Sequence, residues 1–164
     1  MSDNLPEPPP PPHVARQAKL YPYQWIGLAI LAVLPIVAAV GLFGESFTTT
    51  RASAGALEVA VTYPDRLRYW QVNQIEVHVR NVSAAPLDSV HVSLDSAFAL
   101  RFANLTSLPT FDESFRIAIP QLPPGRTRTV LIEMRADRYG RHSGTLTISA
   151  ADTVRMPLSV RIFP

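Results

Sequence analysis

From Leu57 onward, apolar residues recur at every second position. Leu57, Val59, Val61 and Tyr63 alternate with Glu58, Ala60 and Thr62. The same period returns at Ile75, Val77 and Val79, at Val90, Val92 and Leu94, at Phe115, Ile117 and Ile119, and at Val130, Ile132 and Met134. It is longest at Val154, Met156, Leu158, Val160 and Ile162. Successive side chains of a strand point to opposite faces, so each run predicts a strand with one buried face. Turn signals separate the runs: Asn81 to Pro86, Pro123-Pro124-Gly125, Tyr139-Gly140 and Ser143-Gly144. Seven or eight short strands over residues 57–164 predict an all-β antiparallel sandwich. Pro157 predicts an exposed edge or strand end on the last run.

Residues 25–43 show a different pattern, with no charge in nineteen residues and almost only Leu, Ile, Val, Ala, Gly or Phe. As a helix they span about 28 Å, close to the hydrocarbon thickness of a bilayer. A transmembrane helix over 23–43 is the expectation. A cleaved signal peptide is the rival, because Ala52-Ser53-Ala54 has the A-x-A form. Against cleavage, the apolar run exceeds the usual length and Ala54 lies eleven residues beyond it. Tyr21, Tyr23 and Trp25 suit the headgroup layer at one end, with Arg16 and Lys19 just before them as further interfacial anchors. These two charges against Arg51 alone on the far flank favour a cytoplasmic N-terminus. Ala29, Ala32 and Ala39 form a stripe of small residues, and Pro35 predicts a kink; together they are candidates for packing against partner helices.

The remaining segments follow from these two. Residues 1–22 are a proline-rich cytoplasmic head, extended wherever prolines follow one another. It is either a solvated spacer or a ligand for a proline-binding module. Residues 44–56 are small and polar and predict a flexible tether. Residues 57–164 form the extracytoplasmic domain.

Composition removes several function classes. The chain has no cysteine, which excludes disulfides, thiolate metal sites and cysteine nucleophiles. Fifteen basic and thirteen acidic residues leave a net charge of +2, interspersed rather than clustered, so there is no nucleic-acid footprint. His13, His78, His91 and His142 show no metal-ligand spacing. No serine sits in a nucleophile elbow and no glycine-rich phosphate loop is present. Asp112-Glu113 pairs two acids in a turn with nothing to assign them acid–base work. Catalysis, cofactors, metals and small-molecule substrates are therefore not expected.

A family likeness attaches to particular residues. QIEVHVRNVSAAPLDSVHVSL at 74–94 resembles the strand–Asn–turn–strand pattern of bacterial extracytoplasmic immunoglobulin-like modules of the CARDB and NEW3 type. Leu122-Pro123-Pro124-Gly125 followed by the run at 129–134, and the hairpin pattern at 138–148, are similar to the same modules. The resemblance covers 57–164. It implies an immunoglobulin-like sandwich used for adhesion, spacing or assembly, and it carries no catalytic residues.

Two places in the tail are candidates for partner binding. Residues 96–117 hold Phe98, Phe102, Phe111 and Phe115, with Phe98, Leu100 and Phe102 alternating like a further strand and 103–114 as a loop. They are either core beneath a long loop or a recognition patch. Trp70, next to Tyr69, is the second candidate, with Arg66 and Arg68 beside it for acidic partners or lipid headgroups. The whole pattern leads to one expectation: a non-enzymatic, single-pass accessory or scaffolding subunit of a larger complex in a bacterial cytoplasmic membrane. Respiratory or photosynthetic assemblies are conceivable hosts, with other integral membrane proteins and the lipid bilayer as partners. A cell-surface adhesion or glycan-binding module is the alternative.

Overall fold

The computed structural model describes residues 21–39 and 44–164, and within the first of these not the side chains of 22 or 37–39. The chain forms two units, 1–44 and 45–164. Arg16, Lys19, the head up to residue 20 and residues 40–43 lie outside the described residues.

The first unit contains helix α1 (Pro22–Ala39). Pro22 opens it at the position where a missing N–H costs nothing. Gln24 reaches back so that its Oε1 accepts the Tyr21 N–H at 2.9 Å, closing the first turn. The Tyr21 and Tyr23 rings stack at 5.4 Å, and the helix continues through Pro35. Its described side chains, Trp25, Ala29, Ala32 and Pro35 among them, are exposed. Among the described residues no helix is long and apolar enough to cross a membrane. The expected span continues through 40–43, beyond what is described.

The second unit is all β. Its strands are β1 (Ser46–Ala54), β2 (Leu57–Arg68), β3 (Val72–Asn81), β4 (Leu87–Leu94), β5 (Phe102–Leu108), β6 (Arg116–Leu122), β7 (Thr127–Ala136), β8 (Gly140–Ser149) and β9 (Thr153–Phe163). Helix α2 (Ser96–Ala99) is a single turn between β4 and β5. Strand order is β5-β7-β3-β2-β9-β8-β4-β6, with β1 added to β2. The two halves of this order close as an immunoglobulin-like sandwich around one apolar cluster. The alternating residues of β2, β3, β4, β7 and β9 predicted from the sequence fill that cluster. Pro157 lies on the stretch of β9 that pairs with β8 alone, which spares the ladder its missing donor.

Three expectations are corrected. Residues 44–56 are not a flexible tether, because 46–54 form strand β1, paired with β2 from Ala54↔Leu57 to Ser46↔Arg66. The hairpin between them turns on Gly55, whose φ of 51° suits glycine, while the Asp152 carboxylate accepts the Ala56 N–H at 3.2 Å. Residues 98–101 are not a strand; Asp95 caps α2 by accepting the Ala97 N–H at 2.8 Å, and β5, from Phe102 to Leu108, follows in place of the expected loop over 103–114. The sandwich is not wholly antiparallel or limited to eight strands. Nine strands are present among the described residues, and the end of β2 runs parallel to β9.

One buried polar side chain joins the loops at one end of the sandwich. Asn81 is 0 % exposed. Its Nδ2 donates to the carbonyls of Ala85 at 2.8 Å and Leu122 at 2.9 Å. Its Oδ1 accepts from Ser83 N–H at 2.9 Å and from Ser83 Oγ at 2.7 Å. Its backbone pairs with Arg126 and Gly125, so the β3–β4 loop and the Pro-Pro-Gly turn before β7 are bonded together. Replacing Asn81 with Leu takes the side-chain partner from the buried Leu122 carbonyl and from the Ser83 amide, while the Ala85 carbonyl keeps its bond from Ser83 Oγ at 2.8 Å. The unfolding free energy is expected to fall by about 3 kcal/mol, against about 1 kcal/mol for Ser83→Ala. Denaturation of both variants in detergent checks this.

Candidate functional site: the aromatic and arginine-rich end

The β2–β3 turn carries Tyr69 and Trp70, and the ends of β9 and β7 hold it in place. Tyr69 N–H donates to Phe163 O at 2.7 Å, and Trp70 N–H donates to Ala136 O at 2.7 Å. Ala136 N–H donates back to Gln71 O at 3.1 Å. Inside the turn, Arg68 N–H donates to Gln71 Oε1 at 3.1 Å. Trp70 has φ of 67°, a left-handed conformation that a bulky residue rarely adopts. The turn stands because its amides are committed to neighbouring strands.

This framework gathers aromatic rings from separate parts of the chain. Trp70 is 56 % exposed, with the Arg135 guanidinium 4.5 Å from its ring centroid. Tyr69 lies 5.5 Å from Trp70 and 4.5 Å from Tyr139, both between ring centroids. Phe163, Val72 and Phe47 are exposed at the ends of their strands. The chain enters the sandwich here: Glu45, just before β1, accepts hydrogen bonds from Gln71 Nε2 and, at 3.5 Å, from Asn73 Nδ2.

Two residues further in from Phe163 and Tyr139, three arginines line up across three strands. Arg161 on β9 is the register partner of Arg66 on β2 and of Arg141 on β8. With Tyr63, Asp65 and Ser159 they line an open depression of about 340 Å³. Arg141 Nε donates to Ser159 Oγ at 3.0 Å. Asp65 opposes the row, and its Oδ1 is buried without a hydrogen-bond partner. The arrangement offers planar cations and amphipathic rings, groups that bind anions and interfaces rather than activate a nucleophile.

The other predicted residues are placed differently. Phe98, 1 % exposed, and Phe102 are core, their rings edge-on at 5.0 Å, so they present nothing to a partner. A Cβ on Gly144 would meet Phe98 at 2.3 Å, which shows how closely β8 covers that ring. Phe111 and Phe115 pair edge-on at 6.0 Å and are half-buried against the same core. Of the five candidates, only Trp70 is prominently exposed. On α1, Ala29, Ala32 and Pro35 are exposed, and the side chain of Ala39 is outside the described set. Sequence reasoning missed Tyr139, Phe163, Arg141 and Arg161. Their one legible signal was an aromatic or basic residue beside a strand end.

Asp112 is a structural turn residue. Its Oδ1 accepts the Arg116 N–H at 2.9 Å and the Ser114 N–H at 2.8 Å, and these bonds hold its carboxyl below the usual carboxylate range. A second concavity, apolar and lined by Leu108, Pro109, Ile119, Pro120 and Leu131, lies between β5, β6 and β7. Among the described residues no three His, Asp or Glu side chains converge as a metal site.

No family model and no curated protein matches this chain. Solved structures do. The CARDB domain of the PF1109 protein from Pyrococcus furiosus, crystallised with di-metal ions, is 12% identical over 73% of this chain and 89% of that one, at a TM-score of 0.45. Its solution structure is 16% identical over 65% and 94%, at 0.46. Escherichia coli alpha-2-macroglobulin activated by porcine elastase is 19% identical over 68% of this chain but only 10% of that one, at 0.49. The likeness is one of fold: a CARDB-like β-sandwich.

Two outcomes test these placements. Trp70→Gly relieves the left-handed backbone and loses the Arg135 contact, so stability is expected to stay within about 1 kcal/mol of the parent. Phe98→Asp puts a charge in the core and is expected to cost about 4 kcal/mol or more, read by thermal unfolding. For Asp112 the folded pKa is depressed, so its support for the 112–116 turn is complete above the unfolded carboxylate pKa and is lost as pH falls through the lowered value. Amide exchange at Ser114 and Arg116 is expected to accelerate in that acid window, and Asp112→Asn should flatten the pH dependence.

Proposed function

We propose that this chain is a non-enzymatic, membrane-anchored accessory subunit of a larger membrane protein complex. In this proposal α1 continues through residues 40–43, so that 22–43 would extend about 33 Å as a helix and hold the chain in a bacterial cytoplasmic membrane. The proline-rich head lies in the cytoplasm and the sandwich on the opposite side. Ala29, Ala32 and Pro35 form the side of α1 that packs against partner helices. The finding that carries the proposal is the position of the Trp70 end: the sandwich's densest group of exposed rings lies where the chain enters it, directly after the apolar segment. Trp, Tyr and Arg are the residue types that dominate binding surfaces. The strand character of 46–54 supports a subunit over an adhesion module, since in the sequence only Gly44 and Glu45 lie between the apolar segment and β1.

Extraction in mild detergent is expected to yield the chain in a stable complex with other integral membrane proteins. A bulky substitution on the small stripe, Ala32→Leu, should lower the yield of that complex without changing sandwich stability. Recovery as a monomer in several detergents and in native membrane discs would overturn the proposal.

A further inference from the structure

We propose that the Trp70 end seats the sandwich on the anionic headgroup layer of the bilayer. The proposal rests on the anchoring described above and names the partner of that same end. Two layers of chemistry carry it. Outermost are Tyr69, Trp70, Tyr139 and Phe163, exposed rings of the type that settles at a membrane–water interface. Two residues inward from Phe163 and Tyr139, about 6.6 Å along the strands, is the Arg66–Arg161–Arg141 row. Adjacent strands lie about 4.8 Å apart, so the row presents three guanidiniums across roughly 10 Å. Each is a planar fork suited to two phosphate oxygens.

The order of the layers matters. Rings entering the interface leave the arginines level with the phosphates, and long arginine stems reach toward headgroups from either side of that level. The balance of charge at this end agrees. Arg135 and Arg138 add to the row, while the acids are Glu45, Asp65, Glu133 and Asp137, of which Glu133 lies beside Phe47 and Val72. Glu45 is taken up by Gln71 and Asn73, and Asp65 lies in the floor of the arginine depression. The continuity of the chain points to lipid rather than a soluble anion, because only Gly44 separates the apolar segment from Glu45 in the sequence.

The chain has two tryptophans, which allows each to report alone. In full-length protein with Trp25→Phe, Trp70 is the only indole; with Trp70→Phe, Trp25 is. Both are reconstituted in nanodiscs of phosphatidylcholine with or without phosphatidylglycerol, using lipids brominated high on the acyl chain. Trp70 emission is expected to shift to the blue and to be quenched in the anionic discs. The effect should weaken in zwitterionic discs, at high salt, and in the Arg66→Gln, Arg141→Gln, Arg161→Gln variant. Unchanged thermal unfolding of that variant shows that it is folded, and the salt and lipid series decides the matter without it. If Trp25 is quenched while Trp70 stays unquenched and open to aqueous iodide, the docking proposal is overturned and the anchor stands. If neither is quenched, both are overturned. Shielding of Trp70 that grows with protein concentration in lipid-free detergent, or that requires co-purified proteins, assigns this end to a second copy or a protein partner and also overturns the proposal.

Discussion

Three residues of parallel pairing, Arg66–Arg68 beside Arg161–Phe163, hold the aromatic and arginine-rich end of this molecule together. β2 pairs with β3 only as far as Thr62, and its register against β1 shifts between Phe47↔Pro64 and Ser46↔Arg66. Beyond that irregularity its last residues join β9, linking the two halves of the strand order. A bulge bends and re-aims a strand, and here it carries one strand from one sheet toward the other. Without that pairing Arg66 and Arg161 would not be neighbours, Tyr69 would lose its bond to Phe163, and the exposed rings would belong to separate hairpins.

The period-two face of the sandwich was legible because burial and periodicity coincide there. Every apolar residue predicted to point inward on β2, β3, β4, β7 and β9 is buried. The Asn81 turn and the Pro-Pro-Gly segment were visible as a family likeness, and the reason lies in the hydrogen bonds. A buried amide has donors and an acceptor to satisfy, and these two loops supply partners for each other. Asn81-Val82-Ser83 has the form of a glycosylation triplet, but its Nδ2 atom is buried and donates twice, so it is not open to a glycan.

What stayed hidden was non-local. β1 has no apolar alternation; Ser46, Thr48, Thr50 and Ala52 are half-buried through pairing with β2 rather than by their own hydrophobicity. Its strand character comes from the partner, so composition suggested a linker. The four phenylalanines of 96–117 were ambiguous for the opposite reason. A run rich in rings reads alike whether it covers a core or faces a partner, and the close approach of Gly144 to Phe98 is what decides for the core. Trp70 and Tyr139 lie 69 residues apart in the chain and share the Tyr69 ring as a neighbour, a contact no local pattern contains.

The backbone of Trp70 bears on what this end is for. A turn residue at φ 67° is satisfied most cheaply by glycine, and an exposed tryptophan there gives up backbone freedom without gaining core burial. Its contacts with Arg135 and Tyr69 return part of that cost, and these contacts also hold the indole outward and fix its angle. A side chain whose main product is its own exposure contributes more to recognition than to folding. The neighbouring chemistry suits the proposed seat on headgroups: flat cations in register behind flat rings, on the end of a sandwich that follows an apolar segment after only a few residues. An interface of headgroups has no fixed shape, and favours this: a blunt end with rings to enter it and arginines to stop at its phosphates.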